Sequence, residues 1–174
     1  MEDEKIVQLR LEIIESQKIQ ADYLKWKLIS VATLASIAIG ISGNSTNGEA
    51  EFLLCAIPFC CAYIDILSLH VMMRILTIGA FLRSKGCAYE TFVDEVRNAG
   101  NDPLKFENYA LNGSSIIFNA LPIFYGIYKI IGFKDSNLGT ALIVFGIVGI
   151  VFTFFLVIRF GLAVKKLDLT KEDK

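Results

Sequence analysis

The chain has 174 residues, of which 54% are hydrophobic, and its 17 Lys and Arg residues against 18 Asp and Glu residues give a net charge of -1. With a mean hydropathy of +0.54, it is more apolar than soluble domains of this size usually are. Four cysteines without a CxxC pair and a single histidine argue against a zinc site. Cofactor fingerprints and nucleophile motifs are also missing, so we expect no metal, no cofactor and no enzyme activity.

Four apolar stretches divide the chain so that 15 of its 17 Lys and Arg residues fall on one side of a membrane, and only Lys129 and Lys134 on the other. Basic residues collect on the cytoplasmic side of multi-pass proteins. This asymmetry predicts an all-α, polytopic protein of the cell membrane with four transmembrane helices and both termini in the cytoplasm, and the composition is compatible with a bacterial inner membrane. Acidic residues are mixed with the cytoplasmic basic ones, so we expect no direct binding of nucleic acid.

Residues 1–27 form the first segment, a predicted cytoplasmic amphipathic helix. Ile6, Leu9 and Ile13 repeat at i, i+3 and i+7, and acidic residues lie near its N-terminus. The absence of Gly and Pro between Met1 and Ile39 predicts that this helix continues into the first span. Two roles stay open for it: a stalk for oligomerisation or partner docking, and a helix that packs on the protein's own cytoplasmic segments.

Residues 28–83 form the first predicted transmembrane hairpin. Its first span covers Leu28 to about Ser42, with Trp26 as an anchor at the membrane interface. Every fourth residue of this span is small, which favours close contact with another helix; the stripe comprises Ala32, Ser36 and Gly40.

The second span covers Phe52 to about Met73 and reaches the interface at Arg74, beyond which the helix continues into the cytoplasm. Pro58 predicts a kink in it. Residues 84–114 follow as a cytoplasmic segment with two short helices, which we expect to form a small helical cap. Asn112-Gly113 predicts a break where the chain enters the membrane.

The second hairpin, residues 115–159, contains the third span, from about Ser115 to Ile131, and the fourth, from about Leu138 to Ile158. Pro122 predicts a kink in the third span. A second stripe of small residues runs along the fourth; it comprises Gly139, Gly146, Gly149 and Thr153. Arg159 marks its cytoplasmic end, and residues 160–174 form the tail.

The second span carries the deeply placed ionisable groups, Asp65 and His70, with Tyr63 close by. Ionisable groups inside a membrane are functional candidates by default. At 100° per residue, Tyr63 and His70 share a face, whereas Asp65 lies about 140° from His70. Asp65 therefore needs a partner on another helix, for which Asn119 and Tyr125 are the candidates. It would either line a pore or bind a proton, or it would fix helix packing through a hydrogen bond.

Three functional hypotheses follow from this organisation. The first is a homo-oligomer that forms a pore or perturbs the membrane, because four short spans with few polar residues cannot enclose a substrate site in one subunit. The second is a membrane-anchored structural or signalling protein that binds a cytoplasmic protein through 1–27 and 84–114. The third is a small proton-coupled transporter. In general organisation, a few spans with a modest cytoplasmic helical part, the chain is similar to small bacterial membrane effectors encoded with antiviral systems, and this likeness implies the first hypothesis.

Overall fold

The computed structural model describes residues 2–40, 48–89, 91, 93, 95, 104–132 and 136–169, and all regular secondary structure in these ranges is helical. The elements in chain order are α1 (Glu2–Ile39), the short α2 (Gly48–Glu51), a 3₁₀ turn (Phe52–Ala56), α3 (Ile57–Ser84), α4 (Leu104–Ile131) and α5 (Ser136–Leu169). Predictions for 41–47, for most of 90–103 and for 170–174 lie outside the described residues.

Three segments of this helical bundle are long and apolar enough to cross a membrane: Phe52–Ser84, Tyr109–Ile131 and Ser136–Lys166. Helix α1 is not among them. Its polar N-terminal part and the lysines at 25 and 27 leave only a short apolar run before the helix ends at Ile39. The all-helical prediction is confirmed, and three of the four predicted spans have a matching helix.

Helix α1 is continuous over 38 residues, so a single helix contains both the amphipathic N-terminal segment and the first apolar stretch. It ends where Gly40 adopts a φ of 74°, a left-handed conformation that glycine takes without steric cost. Gly40 therefore terminates the helix and is not a third member of its small-residue stripe.

One of the predicted interruptions is wrong, and another lies at the start of a helix. Pro58 lies in the first turn of α3, directly after the 3₁₀ turn, where its missing N–H removes no hydrogen bond of the α-helix. Residues Asn112 and Gly113 lie inside α4, which runs unbroken from Leu104 and also through Pro122. A helical glycine costs only about 1 kcal/mol relative to alanine, and the packing of Leu111 and Ser115, both buried, outweighs it.

The helices pack as a bundle in which α1 lies antiparallel to α3, and α4 packs most extensively against α5. A buried cluster joins the C-terminal end of α1 to the start of α3 and to α5; it comprises Val31, Ala38, Leu54, Ile57, Cys61, Leu138 and Leu142. At the other end of the α1–α3 pair, Arg74 donates to Glu12 at 2.8 Å. Helix α1 therefore follows α3 along nearly its whole length.

Candidate intramembrane ion-pair site

Lys27 of α1 and Asp65 of α3 form an ion pair that is enclosed by the bundle. The Lys27 Nζ lies 2.8 Å from the Asp65 Oδ1, and the two residues are only 1% and 2% exposed. Asp65 lies nine residues before Arg74, or about 14 Å along the helix, which places the pair well inside the apolar part of α3. Contact between the two opposite charges offsets much of the desolvation penalty that either charge alone would incur in this apolar environment.

The start of the apolar part of α4 completes the coordination of this pair. Lys27 also donates to the backbone oxygen of Leu111 at 2.9 Å and to the Ser114 Oγ at 3.0 Å. The Ser115 hydroxyl contacts the ammonium as well, and it donates to the Asp65 Oδ2 at 2.5 Å. Both carboxylate oxygens and the ammonium are thus hydrogen-bonded, and the pair ties three helices together at one point.

Helical periodicity brings the two charges face to face. On α1, Ser16, Gln20, Lys27 and Val31 are buried, and they continue the face that begins with the partly buried Ile6, Leu9 and Ile13. On α3, Cys61, Asp65 and Ser68 are buried at i, i+4 and i+7. Because α1 and α3 run antiparallel, these two faces meet along the bundle.

Sequence reasoning found Asp65 but missed Lys27, because a lysine at the edge of an apolar stretch usually extends its ammonium to the membrane interface. A signal was present: Ile6, Ile13, Gln20 and Lys27 are spaced by seven residues and therefore lie on one face of the helix. Trp26 and Lys25, on the other side, are exposed. The α4 partner of Asp65 is Ser115, one turn before the expected Asn119.

The other residues predicted around Asp65 separate into exposed and buried ones. Tyr63 is 65% exposed, and His70 is exposed on the same side of α3. Asn119 is buried, and its Oδ1 has no hydrogen-bond partner among the described residues, nor does the Oγ of the buried Ser68. The enclosed polar cluster thus consists of Lys27, Asp65, Ser114 and Ser115, which hydrogen bonds join to one another.

The two small-residue stripes have different surroundings. The stripe of α5 faces α4: Gly139 approaches the backbone of Gly126, Gly146 approaches the backbone oxygen of Asn119, and Gly149 lies against the Asn119 side chain. Thr153 donates to the Gly149 oxygen at 3.0 Å. In α1, by contrast, Ala32 and Ser36 are exposed.

Two further ion pairs lie toward the ends of the bundle. The Lys129 Nζ is 2.6 Å from each carboxylate oxygen of Glu51, at the end opposite Arg74, and lies over the Tyr125 ring at 5.4 Å. The pair between Arg74 and Glu12 is largely exposed. Arg159, the predicted anchor at the end of the fourth span, is exposed with its guanidinium over the Phe155 ring at 6.0 Å.

Beyond Arg74, α1 and α3 enclose a groove of about 910 Å³. Its apolar lining comprises Ile6, Leu9, Ile78 and Phe81. Lys5 and Lys85 contribute positive charge, while the charge of Glu12 is balanced by Arg74. We call this surface the α1–α3 groove; it combines an apolar floor with a basic border.

Within the described part of the chain, no three His, Cys, Asp or Glu side chains come close enough to hold a metal ion together. Comparison of the chain with models of protein families, with curated proteins and with solved structures found no match.

Proposed function

We propose that the chain crosses the cell membrane four times, as a protein of a bacterial inner membrane, with both termini in the cytoplasm and the C-terminal part of α1 as its first span. Support comes from the way α1 lies beside α3 up to the buried Ala38 and Leu54, at the level where α3 begins. The distribution of Lys and Arg favours the same orientation. The pairing of Lys27 with Asp65 explains how a helix with a lysine at this depth is accommodated.

This topology predicts opposite accessibility at the two ends of the bundle. In a variant without native cysteines, a cysteine at Asn44 should react with a membrane-impermeant maleimide in intact cells. A cysteine at Asp173, or at the exposed Lys5 near the start of α1, should react only after the membrane is opened. Labelling of Asp173→Cys from outside would contradict the orientation, and labelling of Lys5→Cys from outside would contradict a span formed by α1.

As its activity, we propose that the chain acts as a membrane-anchored structural or signalling homo-oligomer whose cytoplasmic α1–α3 groove receives a partner segment. The observation that supports this proposal most directly is that the Lys27–Asp65 ion pair is complete within one subunit. The buried carboxylate is fully engaged inside one subunit, while the sides of the spans that face outward are dominated by apolar residues such as Phe59, Phe124 and Val148. An apolar segment with an acidic flank fits the chemistry of the groove, because the exposed Lys5 lies on its border.

A pore is the second candidate, and it is favoured by the enclosed polar cluster itself. The Ser68 hydroxyl and the Asn119 amide oxygen lie buried without partners in the described residues, although buried polar groups are nearly always hydrogen-bonded or hydrated. In this hypothesis the Lys27–Asp65 pair closes a polar path between α1, α3 and α4, and separation of the two charges opens it.

Ion flux through proteoliposomes distinguishes the two candidates. For the anchored protein, we expect wild type, Asp65→Asn and Lys27→Met to be equally silent at matched incorporation. For a pore closed by the ion pair, Lys27→Met should conduct, because it removes the cation that holds Asp65. Flux in any of these samples, altered by substitution of Asp65, would contradict the anchored protein and support the pore, and dependence of that flux on a pH gradient would favour the proton-coupled transporter.

A further inference from the structure

A second apolar seam lies on the outer face of α1, away from α3. Val7 is 53% exposed, Leu11 60% and Ile14 48%. These residues precede the apolar stretch of α1 by two turns or more, so lipid does not cover them in the proposed topology. They lie about 140° around the helix from the face of Ile6, Leu9 and Ile13 that packs toward α3. Three large apolar side chains in a row on one exposed face indicate an interaction surface.

The spacing of this outer seam is that of a coiled coil. Val7, Leu11 and Ile14 are separated by four and three residues, which assigns them to heptad positions d, a and d. The same register continues at further exposed positions, which are Lys18, Ala21, Lys25, Leu28 and Ala32. A lysine at an a position lowers the stability of a coiled coil and helps to set its register. The seam therefore extends from the cytoplasmic part of α1 toward the membrane without changing face.

The charges that border the seam are complementary to those of an identical helix. In this register Arg10 occupies position g and Glu15 occupies position e of the next heptad, and both are exposed. The Arg10 guanidinium also donates to the Cys87 Sγ of its own subunit at 3.2 Å, which leaves its other N–H groups for a second copy. In a parallel pair, a g residue faces the following e residue of the other helix, so each Arg10 would meet the Glu15 of a second copy. All copies inserted in a membrane with one topology are parallel, which satisfies this requirement.

We propose that the outer face of α1 binds the same face of a second copy of this chain, as a parallel coiled coil that begins at Val7. This inference rests on the proposed homo-oligomer and names the surface that forms it. The assembly is symmetric, because the same residues meet across the axis. It leaves the α1–α3 groove, on the opposite side of the helix, open to a partner.

Disulfide cross-linking in native membranes tests the register. With Cys55, Cys60, Cys61 and Cys87 replaced, Leu11→Cys at position a should give a disulfide-linked dimer under mild oxidation, because equivalent a positions lie close enough for an S–S bond. The matched control is Lys5→Cys, an exposed b position on the same helix, which should stay monomeric on the gel. Equal cross-linking at both positions would overturn the proposed face.

A second measurement tests the energetics. Changing Val7, Leu11 and Ile14 together to Ser should raise the dissociation constant of the subunits in detergent by about tenfold or more, because apolar surface buried in the interface is lost. Tyr89→Ser, which removes an equally exposed aromatic side chain outside the seam, should leave association unchanged. Arg10→Glu should also weaken it, and Glu15→Arg in the same chain should restore it.

The outcomes separate this inference from the proposed function. A wild-type oligomer that survives the triple substitution and cross-links at other positions overturns the α1 interface and leaves the homo-oligomer standing. A wild-type protein that is monomeric both in membranes and in detergent overturns both.

Discussion

Removal of one charge from the Lys27–Asp65 pair should lower the free energy of unfolding by about 3–5 kcal/mol, because the remaining charge stays buried without a counter-charge. We expect this for both Lys27→Met and Asp65→Leu. Each residue is enclosed by α1, α3 and α4 and cannot reach water without separating the helices. Reversible unfolding in mixed micelles, followed by circular dichroism, measures the loss.

The double variant Lys27→Met with Asp65→Leu should recover most of that stability, since two apolar side chains replace the pair and no unpaired charge remains. The matched control is Lys5→Met, which removes an exposed lysine of the same helix outside the proposed seam and should change stability by less than about 0.5 kcal/mol. If the losses of the two single variants simply add in the double variant, the two charges do not interact in the folded protein.

The ion pair also illustrates what the sequence could predict. Asp65 was identifiable because a carboxylate inside an apolar helix is rare and must find a partner. Lys27 was not, because a lysine at the edge of an apolar stretch usually extends its ammonium to the interface. Only the antiparallel register of α1 and α3, a tertiary property, decides that Lys27 points inward to Asp65 while the adjacent Trp26 points outward.

Helix ends were harder to predict for the same physical reason. Gly113 and Pro58 are local signals for a break or a kink. The free energy that each can cost a helix is limited to one missing hydrogen bond for proline and to the backbone entropy of one residue for glycine. Leu111 contributes a buried side chain and a backbone oxygen that accepts from Lys27, and these tertiary interactions keep α4 helical through Gly113. The continuity of α1, by contrast, needed no tertiary information, because no residue from Glu2 to Ile39 disfavours a helix strongly.

Helices α4 and α5 approach each other backbone to backbone at Gly126 and Gly139, and substitution of these glycines is the second change with a large expected effect. A Cβ built at Gly126 lies 2.6 Å from the backbone oxygen of Gly139, and one at Gly139 lies 2.8 Å from the backbone oxygen of Gly126 and 2.6 Å from the Ile130 Cγ1. Backbone atoms cannot change rotamer, so the two helices must move apart. We expect Gly126→Ala and Gly139→Ala each to lower the free energy of unfolding by about 1–3 kcal/mol.

Gly161 is the matched control for this prediction. It lies in the same helix as Gly139, but a Cβ there meets no atom within 4 Å. Gly161→Ala should therefore be neutral or slightly stabilising, since alanine favours a helix by about 1 kcal/mol over glycine. Equal stabilities of Gly139→Ala and Gly161→Ala would mean that α4 and α5 do not approach each other this closely. If only the Gly126 and Gly139 variants lose stability, the close contact between the backbones of α4 and α5 lies at these two glycines.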